Sequence, residues 1–210
     1  MKLIAPALTA AVLAFSSVST FSASEAAPKV AKPDLVKGET SYTAVCVACH
    51  NADGNASIAI NPKLAQQHPE YLLKQLQEFK TGKRKDPVMA GMVANLSDAD
   101  MRNISFWLAT KPAKLGFAKD KEAVVLGERI YRGGIPDRQI AACAGCHSPN
   151  GAGVPAQYPR LSGQNADYVI KTMHDFRDGK RANSIQMTGV SAKMNDKEIK
   201  AVADYIAGLR

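Results

Sequence analysis

The chain has only four cysteines, and all of them stand in two copies of one pattern, CVACH at residues 46–50 and CAGCH at 143–147. Superposing the copies gives an offset of 97 residues, and the match runs well past them. Gly54 falls on Gly151, Pro62-Lys63-Leu64 on Pro159-Arg160-Leu161, and Tyr71 on Tyr168. Phe79 falls on Phe176, and Gly82-Lys83-Arg84 on Gly179-Lys180-Arg181. The register then moves by one, so that Met89 meets Met187 and LSDADMRNISFWLA lies over MNDKEIKAVADYIA. Upstream, KGETSY lies over LGERIY, with about eight extra residues before the second motif. Two copies of a unit of about 90 residues are a duplication, not a solenoid. Residues 27–112 and 121–210 are therefore expected to form two domains, joined by a linker at 113–120.

Each unit reads as helical. In QQHPEYLLKQLQEFKTG, Pro69 suits a first helical turn, Gly82 a helix stop, and Leu72, Leu73, Leu76 and Phe79 share a face. Ser97 with Asp100 and Asn195 with Glu198 are cap-like starts for the last helix of each unit, although a standard capping box pairs Ser or Thr with Glu or Gln. KPDLVKGETSYTAVC is a candidate helix leading into the first motif, and strand-like alternation is scarce. The expected fold is all-α: two tandem domains of a few helices each. Domains this small have thin cores and need something to fill their centres.

The motif supplies that filler. Cys-x-x-Cys followed directly by His is the attachment pattern of haem c. Two thiols on one helical turn add to the two vinyl groups of a haem, and the next residue offers an imidazole to the iron. Cys46, Cys49, Cys143 and Cys146 are the expected attachment points of two covalently bound haems, with His50 and His147 as proximal ligands. A thioredoxin-like pair needs a βαβ context, which is absent. A four-cysteine zinc site, with its pairs some 15–20 residues apart, does not fit pairs separated by 93 residues. Plain disulfides leave both histidines without a role.

The sixth ligand is less constrained. His68 aligns with Asn165 and His174 with Gln77, so neither recurs, and surface solvation explains both. Met92, Met101, Met173 and Met194 align with Val190, Ile199, Leu76 and Leu96 and read as gap-filling core residues. Only Met89 and Met187 coincide, each in a loop before the last helix of its unit. If both units use one ligand set, these are the distal thioethers; the alternative is a coincidence of core methionines, because the alignment shifts by one residue there. A thioether raises the reduction potential relative to a second imidazole and closes the iron to oxygen or peroxide.

The first residues, MKLIAPALTAAVLAFSSVSTFSASEAAPKV, place one lysine before an apolar run and end in small residues. That is the layout of a secretory signal peptide over residues 1–26, and it points to a periplasmic protein. The formal net charge is +8, split evenly: residues 27–118 hold 12 Lys and Arg against 8 Asp and Glu, and residues 119–210 hold 14 against 10. The charge favours acidic protein partners and allows a loose association with a membrane surface. No basic arm or arginine-rich helix marks a nucleic-acid surface.

The duplicated CxxCH…PKL/PRL…Y…GKR…M…G pattern, with RGG before the second motif, resembles the dihaem cytochrome c4 family of class I cytochromes c from about residue 35 to 210. The resemblance implies two cytochrome c domains facing each other across a pseudo-twofold axis, with their haem carboxylate edges close together. It supports Met89 and Met187 as axial ligands, and it implies that the Pro62 and Pro159 carbonyls accept hydrogen bonds from His50 and His147. The even charge split departs from family members that carry one acidic and one basic domain. The expected function is a periplasmic carrier of single electrons between a quinol-cytochrome c reductase or dehydrogenase and a terminal oxidase, rather than an enzyme. The alternatives are the cytochrome subunit of a periplasmic dehydrogenase, and a dihaem peroxidase or ligand sensor with one open iron.

Overall fold

The computed structural model describes residues 31–210; the signal-peptide reading of residues 1–26 lies outside them. The first half contains α1 (Leu35–Val45), α2 (Val47–His50), α3 (Pro69–Lys80), α4 (Pro87–Val93) and α5 (Asp98–Ala109). The second repeats the order with α6 (Lys121–Gly133), α7 (Ala144–His147), α8 (Ala166–Arg177), α9 (Ile185–Ser191) and α10 (Asp196–Gly208). The extra residues before the second motif form a 3-10 turn at Pro136–Arg138. No strand occurs among the described residues, only two isolated bridges, Ile135 with Ile140 and Val154 with Tyr158.

The first and last helices of each half cross at a glycine. A Cβ on Gly38 would sit 2.3 Å from the Asn103 carbonyl oxygen, and one on Gly127 would sit 2.1 Å from that of Ala201. Only a residue without a side chain lets the two backbones approach this closely. One turn further along α1 and α6 come Tyr42 and Tyr131, both fully buried. Tyr42 packs on Trp107 with ring centroids 4.8 Å apart, and Tyr131 on Tyr205 at 5.4 Å. Each half has its own core cluster, around Tyr42, Phe79 and Ile104 in the first and around Tyr131, Met173 and Val202 in the second.

The caps explain where the helices start. Asp34 and Asp120 each accept two backbone N–H groups at the starts of α1 and α6. Ser97 with Asp100 and Asn195 with Glu198 are reciprocal capping boxes, so Asp100 reaches back as well as Glu198 does. Met101, Met173 and Met194 are buried core residues. Met92 is not: it is 46% exposed on the outer face of α4, while Val93 beside it turns inward. Helical periodicity sends neighbouring positions to different faces, and a five-residue window around Met92 does not reveal which face the helix buries.

The segment between α5 and α10's partner α6 is held to both halves. The Asn55 side chain grips Pro112 O at 3.0 Å and Lys114 N at 2.7 Å, and the Asp204 carboxylate accepts from Lys119 N and Asp120 N.

Candidate haem sites and the seam between the halves

Each Cys-x-x-Cys-His motif folds as one turn of helix, with Cys46 or Cys143 at the N-cap of the four-residue α2 or α7 and the histidine as the last helical residue. The turn is closed by His50 N–H donating to Cys46 O at 3.0 Å and by His147 N–H donating to Cys143 O at 2.8 Å. The chain then leaves through a positive φ, 61° at Asn51 and 69° at Ser148. Each exit is fixed by the buried tyrosine: Tyr42 Oη donates to Asn51 O at 2.6 Å and Tyr131 Oη to Ser148 O at 2.7 Å. The core tyrosines of α1 and α6 thus set the direction of both histidine turns.

The imidazoles are buried, His50 at 7% exposure and His147 at 5%. Nδ1 of His50 lies 3.0 Å from Pro62 O, and Nδ1 of His147 lies 2.9 Å from Pro159 O. A carbonyl can only accept, so Nδ1 carries the proton and Nε2 keeps its lone pair. Burial holds both rings below the ordinary histidine value against the opposing carbonyl bond, which keeps them neutral. Burial also pushes the Cys46 and Cys143 thiols up to about 11, the opposite of a redox-active pair. All four thiols are unbridged. Paired thiols on one turn and a neutral buried imidazole with a fixed tautomer are the groups that covalent haem c attachment uses.

Met89 and Met187 sit on the short helices α4 and α9 rather than in loops. Each occupies the third helical position, its N–H held by a cap side chain, Asp86 Oδ1 at 3.0 Å or Ser184 Oγ at 3.4 Å. Seven-residue helices are too short to show periodicity, so the caps and Pro87 were the only sequence signal. Met89 and Cys46 pack against the same core cluster, and Cys143 packs against the other. Met187 is half-buried and outside that second cluster, which Val190 of the same helix joins. His68 Nε2 bonds Ala152 O at 2.9 Å, and His174 lies 3.3 Å from Asp196. His68 is therefore part of a contact between the halves, not a solvated surface residue.

Polar side chains make that contact. Gln67 donates to Arg160 O at 2.9 Å and accepts from Arg160 N at 2.8 Å. Gln164 does the same for Lys63, donating to its carbonyl at 2.9 Å and accepting from its N–H at 2.8 Å. A second crossed pair joins Arg84 to Tyr168 Oη at 3.2 Å and Arg181 to Tyr71 Oη at 3.1 Å. Burial favours the neutral phenol, but the Arg84 and Arg181 guanidiniums outweigh it and hold Tyr168 at about 7. Buried Glu78 accepts from Asn183 of the other half at 2.6 Å, and Lys74 and Lys83 lie beside it. Sequence reasoning missed Gln67 and Gln164, although they coincide at the same offset of 97 residues.

The family model for cytochrome c matches residues 35–111 and 126–210, one segment for each half. Cytochrome c4 of Thiocapsa roseopersicina is 44% identical over 188 residues, which cover 88% of this chain and 96% of that protein. The chain belongs to the cytochrome c4 branch of the cytochrome c family. The crystal structure of reduced recombinant cytochrome c4 from Pseudomonas stutzeri matches at a TM-score of 0.81 and 41% identity, over 85% of this chain and 100% of that one. A thiosulfate dehydrogenase electron acceptor of Stutzerimonas stutzeri is 35% identical over 169 residues, 78% of each chain. As a cytochrome c4, the chain carries two covalently bound haem c groups and is a dihaem electron carrier that works with redox partner proteins.

Proposed function

We propose that the protein is periplasmic and passes single electrons from a quinol-cytochrome c reductase or a dehydrogenase to a terminal oxidase. Residues 27–112 and 121–210 are the two haem domains on this reading, with 113–120 between them. Cys46 and Cys49 hold one haem and Cys143 and Cys146 the other through thioether bonds. His50 and Met89 ligate the first iron, and His147 and Met187 the second. When bound, each haem supplies an iron that alternates between ferrous and ferric and so takes up and releases one electron at a time.

The observation that carries the reading is the duplicated pairing of a buried, carbonyl-tethered histidine with a methionine whose backbone is pinned by a helix cap. Two protein ligands per iron leave no position for a substrate, which supports a carrier over a peroxidase or sensor. A second reading, the cytochrome partner of a dehydrogenase, draws on the relative named as a thiosulfate dehydrogenase electron acceptor.

The test is the visible spectrum of the dithionite-reduced protein before and after carbon monoxide, with haem quantified per chain. Two haems and an unchanged spectrum are expected. Carbon monoxide binding by half of the haem would overturn the ligand assignment in one domain and move the reading toward an enzyme or sensor.

A further inference from the structure

The peptide unit that joins Pro62 to Lys63 is hydrogen-bonded at both ends. Its carbonyl accepts the His50 Nδ1–H at 3.0 Å, and its N–H donates to Gln164 Oε1 at 2.8 Å. The unit joining Pro159 to Arg160 does the same, with His147 at 2.9 Å on its carbonyl and Gln67 Oε1 at 2.8 Å on its N–H. In a trans peptide the carbonyl and the N–H point to opposite sides, and amide resonance couples them electronically. An acceptor on the N–H pushes electron density onto the carbonyl oxygen, and a stronger carbonyl acceptor makes the bonded imidazole a more basic ligand.

In both cases the histidine and the glutamine come from opposite halves. Each glutamine is also fixed by its second bond, Gln164 Nε2 to Lys63 O and Gln67 Nε2 to Arg160 O, both at 2.9 Å. Gln67 is 6% exposed and Gln164 8%, so both amides are enclosed in the seam.

We propose that Gln67 and Gln164 are positioning residues that act across the seam, Gln67 on His147 and Gln164 on His50. The proposal deepens the electron-carrier reading and rests on His50 and His147 being the proximal ligands. A more basic imidazole favours the ferric state, so each glutamine lowers the reduction potential of the haem in the other half. The two halves are thereby tuned crosswise through their backbones.

The test uses the holoprotein with 15N-labelled histidine. Gln67→Met and Gln164→Met remove the amide at similar volume. Gln67→Glu and Gln164→Glu keep an acceptor for the N–H, lose the donor and add a negative charge that makes the acceptor stronger. In the diamagnetic ferrous protein, the Nδ1–H resonances of His50 and His147 are assigned through the backbone, and both potentials are read by spectroelectrochemical titration. Gln164→Met is expected to move the His50 resonance upfield and raise one potential while His147 stays in place. Gln67→Met should move His147 and the other potential, and the Glu variants should return each resonance to its original position or beyond.

Movement of the same-half histidine, movement of both together, no movement, or Glu variants that behave like Met would each overturn the relay. A Met variant that does not assemble leaves the crossed test to the Glu pair, in which the stronger acceptor moves the opposite-half resonance downfield. Haem content and carbon monoxide response of the unsubstituted protein keep the two claims apart. Two closed haems with unmoved resonances defeat the relay alone, whereas an open iron defeats the electron-carrier reading.

Discussion

At the residue scale, the tightest constraints are a carbonyl above each histidine and a glycine below each tyrosine. Gly38 faces the Asn103 carbonyl and Gly127 the Ala201 carbonyl, so an added methyl group meets backbone that cannot swing away. Gly38→Ala is expected to cost about 2–3 kcal/mol, read as the unfolding free energy in guanidinium. Met89 makes a different prediction, because on the proposed ligation its loss opens an iron. Met89→Ala should leave two haems attached, lower the potential of one, and let carbon monoxide bind about half of the ferrous haem. Binding to none of it would mean that another side chain closes that iron. The two attachment motifs were legible in the sequence because covalent attachment demands residues adjacent in the chain. Met92 was misread because its type matches the core methionines and only the face of α4 decides its surroundings.

At the element scale, the halves use the same devices with different residues. Ser97 with Asp100 and Asn195 with Glu198 close equivalent capping boxes on α5 and α10. Ser97→Ala is expected to lower stability by about 1 kcal/mol, measured by thermal unfolding. Hydrogen bonds from the Ser97 side chain and backbone hold the Asp100 carboxyl below its ordinary value. The Asp100 carboxylate's share of the cap is therefore complete above the ordinary aspartate range and lost as the pH falls through the lower folded value. The long helices were readable from their periodicity and caps. The seven-residue helices that carry Met89 and Met187 were not, because two turns offer too few positions for a pattern and tertiary contacts supply the rest of their stability.

At the scale of the whole molecule, the seam joins two units that each have a core of their own. It is built from amides, guanidiniums and phenols, so its strength depends on every group keeping its partner. Glu78 is the buried carboxylate there. Burial alone would raise its pKa, but Lys74, Asn183 and Lys83 outweigh burial and hold it low. Its stabilisation is then present above the ordinary glutamate range and disappears as the pH falls through the depressed folded value. Glu78→Gln should flatten the acid limb of the unfolding midpoint at and below the ordinary glutamate range. An unchanged acid limb would mean that Glu78 does not carry charge across the seam.

The sequence alone determined the duplication, the helical class, the two attachment turns and the methionine that recurs in both units. All of these follow from local chemistry: covalent spacing, helical periodicity and turn residues are properties of neighbours in the chain. Only the tertiary structure decided that the backbones of Lys63 and Arg160 are gripped from the opposite half, that His68 reaches Ala152, and that Gln75 and Glu78 of α3 are buried. A glutamine amide bonds equally well to water, to its own helix or to a distant backbone. Its partner depends on which surfaces of two folded units meet, and residues about 100 positions apart leave no local pattern to announce that meeting.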